Sequence, residues 1–435
     1  MHQSVWQDSV KEAVRPPQTL QENIETDVLI IGGGMAGILC AHKLKQAGVS
    51  CVVVEAKRVG SGTTGSTTAK ITAQHGLIYQ KLIKKNGVDD ARRYYEANMT
   101  ARQDYEKLSE TYPCDFEVKT AYTYSLTNRK KVVDEARAYE KLGIKPVFQD
   151  SPPLPFQTAE TLGMENQAQF NPLKLLLALA NELTVYENTF VTEIRENTAV
   201  TKNGVIKAKK IVLATHFPLV NIPGMYFLKM YQHRSYVIAL ENAPDVDGMY
   251  VDEQEKGNSF RNYNGLLLIG GGDHKTGAKG GNYEELRQLA KTAYPDAKEK
   301  YAWATQDCMT LDGVPYIGVH RKSAPHIYVA TGFNKWGMTG SMVAANVLRD
   351  LITLGSSEYE ELFSPQRSML QPQLLVNGFS ALGNLILPGK RCPHMGCSLR
   401  WNRAERTWDC PCHGSRFDEH GNLIDNPAKR GIKVE

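Results

Sequence analysis

Apolar and polar residues alternate along the chain in two patterns, which predict a protein built from both helices and strands. Val28–Ile31 is a short, unbroken apolar run of the kind that forms a strand buried on both faces of a parallel sheet. Apolar residues then recur at helical spacing from Ile38 to Ala47, and Gly48 ends this helix. Cys51–Val54 predicts a second buried strand. The order strand, helix, strand is that of a parallel βαβ unit.

The same patterns predict further elements downstream. Helices are expected at Asp89–Tyr112, Arg129–Leu142, Asn171–Leu183, Tyr283–Tyr294 and about Met338–Leu354. Strands are expected at Thr120–Leu126, within 184–200, and at Ala208–His216, Tyr236–Leu240, Gly248–Val251 and Gly265–Ile269. We expect an irregular arm over the first 26 residues. We also expect a turn at Gly270–Gly272, because this glycine run lacks the third glycine and the immediate helix of a nucleotide motif.

Three glycines make the first βαβ unit a candidate nucleotide site. Gly32, Gly34 and Gly37 fit G-x-G-x-x-G between the strand and the helix, and Glu55 follows Gly37 by 18 residues. Such glycines allow a tight turn and a close approach to a pyrophosphate, while the acid binds a ribose hydroxyl. The alternative is a glycine-rich turn without a ligand, but the strand, helix and acid together favour a dinucleotide.

A loop rich in Gly, Ser and Thr follows the acid. We call this segment, Ala56–Lys70, the flavin loop. Its backbone donors and hydroxyl groups suit a second set of hydrogen bonds to phosphates and to a flavin ring. The loop therefore favours FAD over NAD.

Size and charge limit the classes of function. A chain of 435 residues can form two or three domains, and 23% charged residues with a net charge of +4 do not indicate nucleic-acid binding. Residues 1–21 lack the apolar core of a signal peptide. The longest apolar stretch, Leu173–Leu183, is too short to span a bilayer and contains Lys174 and Asn181. We expect a soluble, cytoplasmic protein without a membrane span.

Four of the eight cysteines cluster near the C-terminus. The pattern Cys392-x-His394 and Cys410-x-x-His413 is the spacing of a Rieske [2Fe-2S] site, in which two thiolates hold one iron and two imidazoles hold the other. Zinc is the alternative, but structural zinc sites favour C-x₂₋₄-C and H-x₃₋₅-H pairs. The isolated Cys40 and Cys51 fit small buried thiols.

Residues 392–415 resemble Rieske proteins of the cytochrome bc and b6f type. This resemblance implies a disulfide between Cys397 and Cys412 and a hydrogen bond from Ser415 to a cluster sulfide. Phe417 stands where high-potential members carry a tyrosine, so we expect a lowered potential within the Rieske range of about −150 to +300 mV.

Residues 27–355 resemble the D-amino acid oxidase, glycine oxidase and sarcosine oxidase superfamily. The resemblance rests on the V-L-A-T strand end at 212–215, the D-G-V-P-Y-I-G run at 312–318 and the glycine-rich loop at 332–340. It implies FAD beneath an antiparallel sheet, with the helix from about Met338 aimed at the pyrimidine edge of the flavin. The implied FAD contacts are Gly32, Gly34, Met35, Ala36, Gly37, Glu55, Ala56, Arg58, Thr63, Thr64, Gly65, Ser66, Thr67, Lys70, Val191, Ala214, Thr215, Gly332, Lys335, Trp336, Gly337, Met338 and Thr339.

Four residues are candidates for the substrate site. His274 matches a histidine of sarcosine oxidases, and Lys335 lies near a basic residue of glycine oxidases. Arg261, on a predicted strand, could present a guanidinium to a carboxylate. His75 lies close to the flavin loop. Each could instead be a structural residue.

The fold expected is α/β, or α+β for the whole chain. An FAD-binding Rossmann-like βαβ domain and an antiparallel-sheet substrate domain should occupy residues 1–363. Their FAD-binding parts lie at about 24–112, 160–222 and 305–360, and their substrate-sheet parts at about 113–159 and 223–304. A linker and a small all-β Rieske-type module should occupy 364–435, and this module is small enough to lean on the flavoprotein.

The tandem resembles bacterial FAD-dependent oxidoreductases with a C-terminal Rieske domain. The resemblance implies hydride transfer from a small amine or amino acid to flavin, and single electrons passing through the cluster to an acceptor protein or a quinone. A redox sensor or electron relay without small-molecule turnover is the second hypothesis. A dehydrogenase fed by NAD(P)H needs a second nucleotide fold, which we do not find in the sequence.

Overall fold

A computed structural model describes residues 3–13 and 16–434, except for the side chains of residues 372, 380 and 381. The helices in this part of the chain are α1 Val5–Ser9, α2 Met35–Gln46, α3 Tyr79–Asn86, α4 Val88–Thr111, α5 Arg129–Leu142, α6 Pro172–Ala180, α7 Tyr226–Lys229, α8 Tyr283–Ala293, α9 Gly337–Thr353, α10 Glu360–Phe363 and α11 Pro372–Ile386. The first strands are β1 Ile24–Ile31, β2 Cys51–Val54, β3 Lys70–Ile71, β4 Glu117–Ser125, β5 Val147–Phe148, β6 Glu160–Gln169, β7 Val185–Tyr186, β8 Glu193–Arg195, β9 Thr198–Val200 and β10 Val205–Leu213. The later strands are β11 Met230–Glu241, β12 Met249–Asp252, β13 Ser259–Tyr263, β14 Leu266–Lys275, β15 Lys298–Thr310, β16 Tyr316–Arg321, β17 Ala324–Thr331, β18 Arg400–Asn402, β19 Thr407–Asp409, β20 Arg416–Phe417 and β21 Leu423–Asp425.

The first sheet has the strand order β16-β17-β10-β1-β2-β7, and its central neighbours run parallel. Strand β1 lies between β2 and β10, and its apolar run Val28–Ile31 is buried. Helix α2 packs with α9 beside this sheet. The arrangement confirms the predicted βαβ unit, and it brings the carboxyl ends of β1, β2, β10 and β17 to one edge, where open parallel sheets bind ligands.

The second sheet has the order β15-β11-β14-β13-β12-β4-β6-β3 and is antiparallel apart from the pair β4 and β12. The prediction of a turn at Gly270–Gly272 was wrong, because these glycines lie inside β14. A Cβ at Gly270 would lie 2.6 Å from Ser259 Oγ, and one at Gly271 would lie 2.4 Å from Asn258 Oδ1. Close packing around the strand favours glycine at 270 and 271, and Gly272 has a positive φ of +66°.

The N-terminal segment was also predicted wrongly, since it is not irregular throughout. Ser4 and Gln7 form a capping box at the start of α1, and β1 already begins at Ile24. The side chain of Trp6 is fully buried, with its ring 4.6 Å from that of Tyr263. One helical turn is too short to show a period, which is why the sequence pattern did not reveal it.

The C-terminal module, residues 390–434, is a four-stranded antiparallel sheet with the order β18-β19-β20-β21. Its small core contains the cysteines together with Leu399, Phe417 and Ala428. Helix α11 precedes the module and has no counterpart in the predicted elements. Among the described residues, none of the helices combines the length and apolarity needed to cross a bilayer.

Candidate functional site

The glycine turn between β1 and α2 leaves space at one position only. Gly32 has φ +116°, and a Cβ there would lie 2.3 Å from Ala214 O. A Cβ at Gly37 would lie 1.9 Å from Gly32 O. At Gly34 the nearest atom is Thr64 Oγ1 at 3.4 Å. The turn is thus closed on the protein side and open at Gly34, in front of the N-terminus of α2, where a pyrophosphate would bind.

Glu55 lies at the end of β2, beside the glycine turn. Its carboxylate accepts hydrogen bonds from Gly33 N at 2.7 Å and Lys57 N at 2.9 Å. Burial raises the pKa of Glu55, although both N–H groups act in the opposite direction. The carboxylate keeps lone pairs that can accept hydrogen bonds from ribose hydroxyls, as the motif requires.

The flavin loop is held in one orientation by distant side chains. Five consecutive carbonyls, those of residues 65–69, accept hydrogen bonds from donors outside the loop. The pairs are Ser4 Oγ to Gly65 O (2.5 Å), Trp303 Nε1 to Ser66 O (2.9 Å), Trp6 Nε1 to Thr67 O (2.7 Å), and Arg261 Nη1 to Thr68 O (2.8 Å) and Ala69 O (2.7 Å). The carbonyl and the N–H of a trans peptide point in opposite directions. The N–H groups of these peptides therefore face away from the donors; that of Ala69 bonds Thr67 Oγ1 at 3.0 Å, and the others point to the side on which a phosphate or flavin would bind.

Two buried cations lie at the end of this loop. Arg261 is 1% exposed, and its Nη2 has no partner among the described residues. Burial, with a smaller contribution from Arg261, lowers the pKa of Lys70 to about 7. An unpaired guanidinium nitrogen and a desolvated amine fit a ligand that brings oxygen acceptors or negative charge into this space.

A second group of charges lies on β14, β15 and the loop before α9. Lys335 Nζ lies 2.5 Å from Asp273 Oδ1. Part of the Asp307 side chain borders open space, but the surrounding protein removes most of its hydration. This burial raises the pKa of Asp307 to about 6, while Lys335 opposes the shift. His274, next to Asp273, stacks on Tyr236 with ring centroids 5.8 Å apart. A carboxyl group with a pKa near neutrality can exchange protons at physiological pH.

His274 and Tyr236 also line a cleft of about 830 Å³ between the second sheet and the C-terminal module. Its other wall includes Asn402 and Asp409 from that module. The cleft is large enough for a small metabolite.

The four ligands expected for an iron-sulfur cluster converge in the C-terminal module. Cys392 and Cys410 are each 1% exposed. The Cys410 thiol, followed by the His394 N–H, the Ser415 hydroxyl and the Met395 N–H, lowers the pKa of the Cys392 thiol below its ordinary value. Hydrogen bonds that favour the thiolate are those a metal site needs.

The two histidines complete the site. Their rings lie 4.9 Å apart, and His394 Nδ1 and both ring nitrogens of His413 have no partner among the described residues. Buried imidazoles without partners suit metal ligands. Cys397 and Cys412 are joined by a disulfide, with their Cα atoms 6.6 Å apart, as predicted. This bond joins the loop that carries Cys392 and His394, the first ligand loop, to the loop that carries Cys410 and His413, the second ligand loop. It leaves Cys410 free to bind metal.

A short chain of hydrogen bonds joins the flavin loop to the second ligand loop. Thr63 Oγ1 donates to Gln306 O at 3.1 Å, and Gln306 Nε2 donates to Gly414 O at 2.9 Å. Next to it, Gln232 Nε2 donates to His413 O at 2.6 Å. Gln306 of β15 therefore connects the flavin loop to the loop that carries His413, and Gln232 of β11 adds a second bond to that loop.

Buried charges also hold the module in place. Glu405 accepts hydrogen bonds from Arg234 of β11, including one of 3.0 Å to Nε, and from Arg416 Nη2 at 2.7 Å. Arg416 also contacts Asp409 and Asp425. We call this set, Arg234, Glu405, Asp409, Arg416 and Asp425, the docking network.

Comparison with known proteins agrees with this geometry. The family model described as FAD dependent oxidoreductase matches residues 27–351. The chain belongs to the FAD-dependent oxidoreductase family. A second model, described as Rieske [2Fe-2S] domain, matches residues 357–434. This FAD-dependent oxidoreductase therefore binds FAD, and its Rieske domain binds a [2Fe-2S] cluster.

Relatives of this oxidoreductase carry one or both parts. YhfW of Bacillus subtilis (strain 168), described as a Rieske 2Fe-2S iron-sulfur protein, is 37% identical, over 95% of this chain and 94% of its own length. Gamma-glutamylputrescine oxidoreductase of Escherichia coli (strain K12) is 24% identical, over 83% of this chain and 92% of its own. Glycine oxidase from Geobacillus kaustophilus shares the fold, with a TM-score of 0.67 and 19% identity over 79% of this chain and 99% of its own.

The four candidate substrate-site residues of the oxidoreductase lie in different places. Lys335 and His274 both lie close to Asp273. Arg261 Nη1 donates to the flavin loop, while its Nη2 has no partner among the described residues. His75 is buried, with Nδ1 2.7 Å from Tyr94 OH and its ring stacked on Trp336.

Burial lowers the pKa of His75 to about 3, so His75 stays neutral at physiological pH. Its stacking on Trp336 supports the loop before α9.

Sequence reasoning missed the residues that hold the sites in place. These are Ser4, Trp6, Gln232, Arg234, Trp303, Gln306 and Glu405. No motif spacing marks them, because each acts through a contact distant in sequence. A tryptophan in an otherwise polar N-terminal arm was the one available clue, since Trp is seldom left unpacked.

Proposed function

We propose that this protein oxidises a small amine or amino acid and passes the electrons singly to an acceptor protein or quinone. Bound FAD supplies a two-electron hydride acceptor, and the [2Fe-2S] cluster supplies a one-electron carrier. The amine and water become a carbonyl compound and ammonia, with release of two electrons and two protons. The observation that carries this proposal is the link from Thr63 through Gln306 to Gly414, which connects the two cofactor sites.

The choice of an amine rests on the site and on relatives. The names of gamma-glutamylputrescine oxidoreductase, glycine oxidase and L-proline dehydrogenase all refer to amines or amino acids. An amine must lose its ammonium proton before a hydride can leave the neighbouring carbon. In this proposal Asp307, whose pKa is raised to about 6, accepts that proton at neutral pH, and the ion pair of Lys335 and Asp273 contributes to the charge around it.

Anaerobic flavin bleaching with amines, amino acids and N-methyl amino acids tests the substrate class. We expect one group of compounds to bleach the flavin, at a rate that increases with pH as Asp307 ionises. Asp307→Asn should remove that part of the pH profile. If no compound bleaches the flavin, the amine assignment fails.

Rapid mixing with the best substrate tests the link between the sites. Gln306→Leu removes the donor to Gly414, so reduction of the cluster should slow while flavin bleaching stays unchanged. Thr276→Val is the matched control, because it removes only the bond from Thr276 Oγ1 to Gln306 Oε1. Equal rates of cluster reduction in Gln306→Leu and wild type would show that this link does not contribute to electron transfer from the flavin to the cluster.

The placement of Arg261 favours the second candidate function, an electron relay or redox sensor. Its Nη1 donates to two carbonyls of the flavin loop, which leaves less of the guanidinium to bind a carboxylate substrate. A relay would exchange electrons with protein partners, and no member of the amine panel would bleach its flavin.

A further inference from the structure

Helix α11 presents the wrong face to solvent for an ordinary surface helix. Its apolar side chains point outward and are highly exposed: Leu375 66%, Val376 55%, Phe379 73%, Leu382 59% and Ile386 84%. Its polar residue Asn377 is instead 6% exposed and donates to Leu228 O at 3.1 Å. A helix with its polar side turned inward and its apolar side turned outward has an unmatched apolar surface.

The apolar surface continues onto the segment before α7. Ile222 is 60% exposed and Met225 is 41% exposed, and α7 contacts α11. We call these two residues, with the exposed apolar residues of α11, the apolar patch.

The apolar patch borders the cluster site. Asn221, next to Ile222, lies with its Oδ1 2.9 Å from His394 Nε2. On the other side, a Cβ at Gly396 of the first ligand loop would lie 3.8 Å from Leu385 of α11. Whatever covers the patch therefore lies next to the cluster.

The segment that contains α11 carries basic but no acidic residues. No Asp or Glu occurs between Glu361 and Glu405, whereas this stretch contains five basic residues. They are Arg367, which is paired with Asp312 and mostly buried, and Lys390, Arg391, Arg400 and Arg403. The exposed Arg391 lies at the C-terminal end of α11 and donates to Leu385 O at 2.8 Å. Helix α11 itself carries no charged residue.

We propose that the apolar patch docks this protein onto an anionic lipid bilayer. An uncharged apolar helix bordered by basic residues suits insertion at the headgroup level, where apolar burial and attraction to anionic lipids add together. With 15 residues, α11 is about 22 Å long, shorter than the hydrocarbon core of about 30 Å, so it lies in the plane of the surface.

A second copy of the chain fits this surface less well. In a symmetric dimer the same surface faces itself, so the basic borders of the two patches would meet and repel each other. Acidic lipid headgroups neutralise these same charges.

Docking onto a bilayer implies a class of electron acceptor, and this inference about the acceptor rests on the proposed function. A cluster held at the bilayer surface can reduce a lipid-soluble quinone. Two electrons from the substrate, delivered singly, and two protons convert one quinone to one quinol, so the balance with amine oxidation closes without a further oxidant.

Vesicle flotation of the full holoprotein tests the docking itself, whatever the substrate. The probes are vesicles of phosphatidylcholine alone and vesicles in which one third is phosphatidylglycerol. We expect wild type to float with the anionic vesicles, less with the neutral ones, and less at high salt. Phe379→Gln combined with Leu382→Gln and Ile386→Gln should weaken binding about tenfold or more, because three exposed apolar side chains are lost.

The control is Leu354→Gln combined with Phe148→Gln, since these exposed apolar residues lie outside the patch. It should bind as wild type does, and flavin and cluster absorbance should be unchanged in both variants. Wild type that fails to float would overturn the proposal. So would a wild-type dimer in light scattering that the α11 variant dissociates, because the occupant would then be a second copy.

The acceptor is tested separately with dithionite-reduced protein, which needs no substrate. Anionic vesicles containing a long-chain ubiquinone should reoxidise wild type faster than the α11 variant, while a short-chain, water-soluble quinone should reoxidise both equally. Equal rates with the long-chain quinone would remove the quinone assignment and leave the docking standing. Failure of the amine panel would leave both results unaffected.

Discussion

Glu405→Gln should release the C-terminal module from the rest of the protein. Glu405 is the acceptor shared by Arg234, on β11, and Arg416, in the module. Its side chain is 12% exposed, and those of Arg234 and Arg416 are 2% and 6% exposed. The substitution keeps the shape of the side chain but leaves Arg234 buried without the carboxylate that neutralises it.

The expected magnitude follows from the pKa of Glu405. Burial opposes ionisation, but the charges of Arg234 and Arg416 outweigh it and lower the pKa from 4.5 to about 2. A shift of this size corresponds to about 3 kcal/mol in favour of the ionised, docked state. The expected loss of stability in Glu405→Gln therefore agrees with the roughly 3–5 kcal/mol typical of removing one partner of a buried ion pair. Because the folded-state pKa is depressed, this contribution is complete above pH 4.5 and disappears as the pH falls towards 2.

Urea unfolding at neutral pH measures the stability that the C-terminal module loses in Glu405→Gln. Visible circular dichroism follows the cluster, and flavin absorbance follows the FAD site. We expect the cluster transition of Glu405→Gln to occur at lower urea concentration, with the free energy of unfolding reduced by about 3 kcal/mol. The flavin transition should move less, because the first sheet does not contain the docking network.

Glu419→Gln is the matched control, since it is the same substitution in the same module. Glu419 pairs with Arg406, whose side chain is 72% exposed, and such pairs contribute about 0–1 kcal/mol. If Glu405→Gln costs no more than Glu419→Gln, the docking network does not hold the module, and contacts other than these buried charges attach it to β11.

Three further predictions address the cofactors and the fold. Gly34→Val should fold normally, because its side chain meets little of the protein, but should lose FAD on purification; flavin content equal to wild type would contradict the motif. Iron, acid-labile sulfide and flavin analysis should find one FAD and one [2Fe-2S] cluster per chain, and His413→Ala should lose only the cluster; unchanged turnover with the acceptor would remove the cluster from the electron path. Burial raises the pKa of Glu135 from 4.5 to about 7, so wild-type stability should fall by up to about 3 kcal/mol as the pH rises through this window, and thermal melting of Glu135→Gln should lack that slope.

Local patterns predicted the elements that depend on local rules. Arg129–Leu142 was found with both bounds correct, because its apolar stripe is regular and Gly143 adopts the left-handed conformation that ends a helix. The ligand spacing from Cys392 to His413 was equally readable, since thiolates and imidazoles at fixed intervals have few other uses.

Contacts between distant segments could not be predicted in this way. Nothing near Gln306 indicates that it bonds to Gly414, and nothing near Arg234 points to Glu405. Gly270–Gly272 was misread because glycine serves both turns and close strand packing, and only the neighbours decide between them. The role of Arg261 was uncertain for the same reason, because a strand position does not say which way a long side chain extends.

The hydrogen bonds around the flavin loop have a consequence for how the protein matures. The loop takes its donors from Ser4 and Trp6 at the beginning of the chain, and its link to Gly414 comes almost at the end. A chain emerging from the ribosome folds its N-terminal parts first, but here the pocket has its full set of partners only after the segment around Gly414 has been made. We expect stable FAD binding to follow docking of the C-terminal module, so that loss of the module's contacts would also appear as a shortage of bound flavin.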